Sequence, residues 1–277
     1  MKITDIKGTV TLNNGVEMPY FGLGVFKAED GQEVIDSVSY ALEAGYRHID
    51  TAAIYQNERG VGQAIRLSEL DRKEVFVTSK VWNSDQGYDT TIKAFHASLV
   101  KLNLSYLDLF LVHWPVKGKY KETYRALETL YEEGKIRAIG VSNFLVHHLD
   151  DLLTTAKIIP AVNQIEYHPY LTQPELIKTC FDNGIAPEAW SPLMQGQITE
   201  VPELTQLAQK YYKTEAQIVL RWNLQKGIIT IPKSSRKSRI IENANIFDFV
   251  ISAEDMEIID SLNRNQRIGA DPDNFNF

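Results

Sequence analysis

Cysteine is nearly absent from this 277-residue chain. The single thiol, Cys180, excludes an internal disulfide and fits a reducing cytosol. No apolar run approaches the ~20 residues that a membrane helix needs, and the first ten residues lack the apolar core of a signal peptide. Excess positive charge is missing too: 29 Lys and Arg stand against 36 Asp and Glu, a net charge of -7. Nucleic-acid binders usually carry a basic patch or stripe, so that class of partner is not expected. Zinc-like Cys/His spacing is absent, and with it any reason to expect a metal. No low-complexity linker or composition shift divides the chain. The expectation is one soluble, cytoplasmic domain over residues 1–277, acting as a monomer.

What is present is a rhythm. After a short hairpin signal, with Asn13-Asn14-Gly15 as its turn, apolar runs of strand length alternate with stretches of helical period. The strand candidates are residues 20–24, 46–50, 75–80, 107–113, 136–142, 161–166, 185–190 and 228–232. Helices are expected over 32–44, 90–102, 120–133, 145–156, 174–182, 202–212, 215–225, 236–245 and 253–263. Near-continuous apolar strands separated by helices mean parallel βαβ units. Eight of them favour an α/β fold of the (β/α)8 TIM-barrel type, here with an N-terminal β-hairpin and extra helices. An open doubly wound sheet is the rival. Its G-x-G-x-x-G fingerprint is missing, for Gly22-Leu23-Gly24 is followed by Val25-Phe26-Lys27. Those two glycines read as room for close backbone approach.

In a barrel, chemistry sits at the C-terminal ends of the strands. Three consecutive strand candidates end in ionisable residues: Asp50, Lys80 and His113. Tyr55 follows Asp50 by a short loop. A phenol titrates near pH 10, and a nearby ammonium makes its proton easier to give up. Lys80 is placed to supply that charge, with Asp50 to position Lys80 and a neutral His113 to orient a carbonyl oxygen.

At this point the residues resemble a family. Residues 45–58, Gly-Tyr-Arg-His-Ile-Asp-Thr-Ala-Ala-Ile-Tyr-Gln-Asn-Glu, are similar to a signature of the aldo-keto reductases. Ser79-Lys80-Val81-Trp82, Leu111-Val112-His113-Trp114-Pro115, Gly140-Val141-Ser142-Asn143-Phe144, Asn163-Gln164-Ile165-Glu166, Ala189-Trp190-Ser191-Pro192-Leu193 and Ile231-Pro232-Lys233-Ser234 match in order. The likeness spans nearly the whole chain and points to small bacterial members that reduce diketogluconate, glyoxal or methylglyoxal. It implies reduction of aldehydes and ketones to alcohols by hydride from NADPH, with a tetrad of Asp50, Tyr55, Lys80 and His113 and with Tyr55 as proton donor.

The resemblance also assigns a cofactor site. Ser142, Asn143 and Gln164 would hold the nicotinamide carboxamide, although Ser142 and Asn143 equally suit a helix cap. Trp190 would stack on the nicotinamide ring, with Ser191 and Leu193 along the pyrophosphate. Lys233, Ser234 and Arg239 would take the 2′-phosphate at a helix N-terminus, and Asn243 and Glu242 would lie by the adenine. Phe26, Trp82 and Trp114 are expected as exposed aromatics around a substrate. The rim loop near residue 116 and the tail beyond residue 263 are short, so an open pocket for small or polar carbonyls is expected.

Two other functions fit the same barrel: a Schiff-base aldolase with Lys80 as nucleophile, and a catalytically silent NADPH-binding subunit. Pro187 lies inside the seventh strand candidate and lacks a ladder donor, so a frayed start to that strand is expected.

Overall fold

The asparagine-glycine turn folds the start of the chain on itself. In the computed structural model, which describes residues 1–277, β1 (Thr9–Thr11) pairs antiparallel with β2 (Glu17–Pro19). The Asn13 and Asn14 amides donate to the carbonyls of Pro160 and Arg137 at 3.0 and 2.9 Å, which seats the hairpin at the N-terminal end of the strands that follow.

From there strand and helix alternate: β3 (Leu23–Gly24), α1 (Gln32–Glu43), β4 (His48–Asp50), α2 (Glu58–Leu67), β5 (Phe76–Val81), α3 (Tyr88–Leu102), β6 (Leu107–Val112), α4 (Tyr120–Glu132) and β7 (Ile136–Ser142). Then come α5 (Val146–Leu153), β8 (Val162–Glu166), α6 (Pro174–Asp182), β9 (Ala186–Trp190), α7 (Pro202–Tyr211), α8 (Glu215–Gln225), β10 (Ile229–Thr230), α9 (Lys237–Ala244) and α10 (Ala253–Asp260). The strands β3 to β10 are parallel neighbours in chain order. The ring closes where Thr230 donates to the Tyr20 carbonyl and Gly22 donates to that of Thr230, both at 3.0 Å. This is the expected (β/α)8 barrel. Its strands are buried on both faces, as parallel sheets require. No helix is long and apolar enough to cross a membrane.

Gly22 and Gly24 do serve close approach. A Cβ on Gly22 would lie 2.6 Å from the His48 ring, and one on Gly24 would lie 3.0 Å from the Ile231 carbonyl at the barrel seam.

One helix was not expected, and one strand was expected to fray. The first point concerns α2, whose apolar Val61, Ala64 and Ile65 do recur at helical spacing. Its segment, Glu-Arg-Gly-Val-Gly-Gln-Ala-Ile-Arg-Leu, holds two glycines, each about 1 kcal/mol worse than alanine inside a helix. Their use is tertiary. A Cβ on Gly60 would meet Val34 of α1 at 2.2 Å, and one on Gly62 would meet the backbone carbonyl of Leu102 in α3 at 2.0 Å. The second concerns Pro187. Strand β9 does not fray: the Ala186 amide donates to the Ala161 carbonyl at 2.9 Å, and Pro187 sits in register with Asn163. Backbone groups alternate sides along a strand, so the Pro187 nitrogen faces β10, whose ladder begins one step later, at Ile229 opposite Glu188. The missing donor falls where no acceptor waits.

The contact at Gly62 makes a test. Gly62→Ala gains helix propensity but drives a methyl into backbone that cannot swing aside, and overpacking of this kind typically destabilises by about 1–3 kcal/mol. The expected outcome is a lower thermal midpoint by circular dichroism. An unchanged or raised midpoint would show that α2 and α3 are not held at this distance.

Candidate active site

The C-terminal ends of the barrel strands open into one cleft of about 1070 Å³. Beneath it lies an ion pair. Lys80, on β5, is wholly buried, and its Nζ donates to Asp50 Oδ1 at 2.6 Å and to the Thr51 carbonyl at 3.0 Å. The other Asp50 oxygen, at the end of β4, accepts from Gln164 Nε2 at 2.8 Å. Tyr55 ends a single helical turn just after β4, with Lys80 Nζ 5.1 Å from its ring centroid. His113 follows β6, and its ring packs edge-on to Tyr55 at 5.8 Å. The three strand-end residues and Tyr55 therefore meet. Asp50, Tyr55 and His113 line the cleft, while Lys80 lies just below it.

Burial sets the protonation states. It opposes the Lys80 charge, but Asp50 outweighs it and holds the amine above its ordinary value. Burial lifts Asp50 above the usual carboxylate range, against the pull of Lys80. Burial, with Lys80 second, holds His113 well below the usual imidazole value, so the ring is neutral. Tyr55 departs from expectation. Enclosure raises its phenol and Lys80 only partly offsets this, because the ammonium is already matched by Asp50.

The residues assigned to a cofactor lie together too. Ser142, Asn143, Gln164, Trp190, Ser191, Leu193, Lys233, Ser234, Arg239, Glu242 and Asn243 all line the cleft. Ser142 and Asn143 do not cap α5, whose N-cap is Leu145. Instead Asn143 has φ of +64° and binds across the mouth: Nδ2 donates to the His113 carbonyl at 3.0 Å, and Oδ1 accepts from Trp190 Nε1 at 2.8 Å. Lys237 pairs with Glu43 at 3.0 Å, whereas Lys233 and Arg239 are exposed at the cleft without an ion-pair partner. No side chain caps the first turn of α9 beside them. Glu242 accepts from Thr214 at 3.0 Å.

The mouth differs from the open rim that the short tail suggested. Phe26 is exposed and Trp82 half-buried, but Trp114 is buried, because the tail returns over it. Phe277 stacks on Trp82 at 5.7 Å and meets Trp114 edge-on at 5.2 Å, and Phe275 contacts Trp114 at 5.1 Å. The tail is tied down on the way. Glu166, at the end of β8, accepts from the Ile268 and Gly269 amides at 2.6 and 3.0 Å, and Asp273 meets His147 at 2.9 Å. A short tail can still cross the barrel mouth when its anchors stand at the rim. Sequence reading missed these lining residues, along with the segment around Gln195 and Gly196, whose backbone runs through positive φ. The aromatic spacing Phe275–Phe277 was the one available signal.

A further carboxylate was missed. Glu188, on β9, is fully buried inside the barrel, where its Oε2 accepts from Gln164 Nε2 at 2.8 Å. Burial, then Asp50, pushes it up to about 8. Nearby His48 is held down to about 3 by burial, so their 3.8 Å approach is not an ion pair. A group whose folded pKa exceeds its unfolded value stabilises the fold while protonated, and that contribution fades as pH rises toward the folded value. Between pH 6.5 and 8 unfolding should therefore become easier by up to about 1.4 kcal/mol per pH unit. Urea titrations at the two pH values should show this loss in the wild type and a flatter response in Glu188→Gln. An equal response in both proteins would mean that Glu188 is ionised throughout.

Comparison with known proteins agrees with the geometry. The Aldo/keto reductase family profile matches residues 7–264. The glyoxal reductase of Bacillus subtilis (strain 168) is 61% identical over 274 residues, covering 99% of each chain. Among solved structures, an aldo-keto reductase from a deep-sea metagenome library superposes with a TM-score of 0.95 at 47% identity, covering 97% of this chain and 100% of the other. The Bombyx mori aldo-keto reductase, solved in complex with NADP, superposes with a TM-score of 0.90 at 36% identity, covering 98% of this chain and 97% of the other. A barrel of this topology, with these strand-end residues and a family match over most of its length, belongs to the aldo/keto reductase family.

Proposed function

We propose that this chain reduces small aldehydes and ketones to alcohols with NADPH, glyoxal and methylglyoxal being representative substrates. The observation that carries the reading is the buried Lys80–Asp50 pair under a phenol at the floor of a large cleft. The cleft suits the dinucleotide. It offers an unengaged Gln164 Oε1, the Trp190 ring beside it and, farther along, two unpaired cations next to a free helix N-terminus. When bound there, the dinucleotide supplies the hydride that the carbonyl carbon accepts.

The chain's own groups handle the oxygen. Neutral His113 and the Tyr55 hydroxyl orient the carbonyl. Tyr55 gives its proton as negative charge develops on that oxygen, and Lys80 stabilises the phenolate left behind. Asp50 keeps Lys80 charged and fixed. Ser142, Asn143 and Gln164 take the carboxamide, and Lys233, Ser234 and Arg239 take the 2′-phosphate. Phe26, Trp82, Trp114 and Phe277 enclose the substrate with apolar surface. The reading takes the chain as one catalytic domain that works as a monomer. A Schiff-base aldolase is disfavoured, because Lys80 is sealed beneath the cleft and held by two acceptors.

Tyr55→Phe keeps the ring and removes the proton. General acid catalysis is typically worth ~10²–10⁴-fold, so kcat for methylglyoxal should fall by that order while NADPH still binds. A variant retaining most of the wild-type kcat would remove Tyr55 from the role. The phosphate assignment has its own test. A charge-assisted hydrogen bond contributes roughly 1.5–3 kcal/mol, so Arg239→Ala should weaken NADPH binding about tenfold or more. NADH, which lacks the 2′-phosphate, should bind as before. Equal losses for both cofactors would place Arg239 elsewhere.

A further inference from the structure

Gln164 carries a constraint that its place in the cleft does not explain. Its Nε2 has two protons, and both are taken below the cleft floor, by Asp50 Oδ2 and by Glu188 Oε2, each at 2.8 Å. Its Oε1 receives no hydrogen bond from the protein and is not among the enclosed polar atoms, so it opens to the cleft. Turning the amide over would set its oxygen against the Asp50 carboxylate. One hydrogen bond still lets an amide pivot about the N–H···O axis. Two bonds on the same nitrogen fix its plane, and with it the direction of the C=O.

We propose that Glu188 is a positioning residue: with Asp50 it clamps the Gln164 amide, so that Oε1 points into the cleft as a fixed acceptor for the carboxamide N–H of the nicotinamide. The inference rests on the NADPH reading above. Glu188 suits the task because its side chain is fully buried within the barrel and faces no solvent that would compete for the Gln164 proton. As a protonated acid it keeps Oε2 as an acceptor, with the proton on Oε1, the oxygen that lacks a partner. It thus adds a second acceptor without placing a second full negative charge beside Asp50. The same clamp ties the carboxamide holder to the proton-donating set, since Asp50 bonds Lys80 through one oxygen and Gln164 through the other.

The test compares NADP⁺ with its 3-acetylpyridine analogue, in which a methyl group replaces the carboxamide NH₂ and nothing can be donated to Gln164. Dissociation constants are measured by calorimetry on the full chain. The wild type should prefer NADP⁺ by roughly three- to tenfold, the worth of one neutral hydrogen bond. Glu188→Leu should bring that preference to within about twofold, and Glu188→Gln, whose amide oxygen can still accept, should keep it. Should the leucine variant not fold, Glu188→Val removes the acceptor with a smaller side chain and the same expectation. Two results would overturn the proposal. In one, the variant weakens both cofactors equally and keeps the preference, which is the behaviour of a purely structural residue. In the other, the wild type binds NADP⁺ but shows no preference, which leaves the NADPH reading standing. A wild type that binds neither cofactor would instead bring down that reading, and this proposal with it.

Discussion

The structure depends on an ammonium ion that water cannot reach. Lys80 has no exposed surface, and desolvating an unpaired charge is severe enough that it would otherwise shed its proton. Asp50 at 2.6 Å and the Thr51 carbonyl keep it charged. Both come from the neighbouring strand β4 and its exit, so the pairing of β4 with β5 fixes the geometry of the pair. Asp50 must then be satisfied on its second oxygen, which commits Gln164, and the second proton of that amide commits Glu188. A buried chain of four residues on four strands thus follows from one charge, and Tyr55 rests on top of it.

Around that centre the barrel is closely packed where the sequence is small. Glycines at 22, 24, 60 and 62 each stand where a Cβ would strike a neighbour. Two close the seam and floor of the barrel, and two bring α2 against α1 and α3. The mouth is built differently. Its walls are loops, and its roof is the returning tail, held by Glu166 and Asp273 and finished by Phe275 and Phe277 over the tryptophans. The polar floor and the aromatic roof divide the work of the site: charge and proton below, apolar enclosure above.

Much of this was legible in the chain. Eight apolar runs named the strands, because a strand covered on both faces cannot alternate. Their polar ends named Asp50, Lys80 and His113, because in a parallel barrel every strand ends at the same rim. Helix α2 was only partly legible: Val61, Ala64 and Ile65 keep the helical spacing, but its two glycines are chosen for the space between helices and work against the local helix. The fit of Pro187 was hidden in which side of β9 its nitrogen faces, a matter of register with β10.

The sequence by itself therefore determined the barrel, its rim and the kinds of groups that meet there, since period and strand order depend only on residues near one another in the chain. Tertiary structure alone decided that Trp114 lies under the tail, that the Tyr55 phenol is raised rather than lowered, and that Asp50 and Glu188 share the proton-donating amide of Gln164. Each depends on what residues far apart in sequence do to one another across a few ångströms. In a low-dielectric interior those distances, more than residue type, fix where a proton sits and which way an amide points.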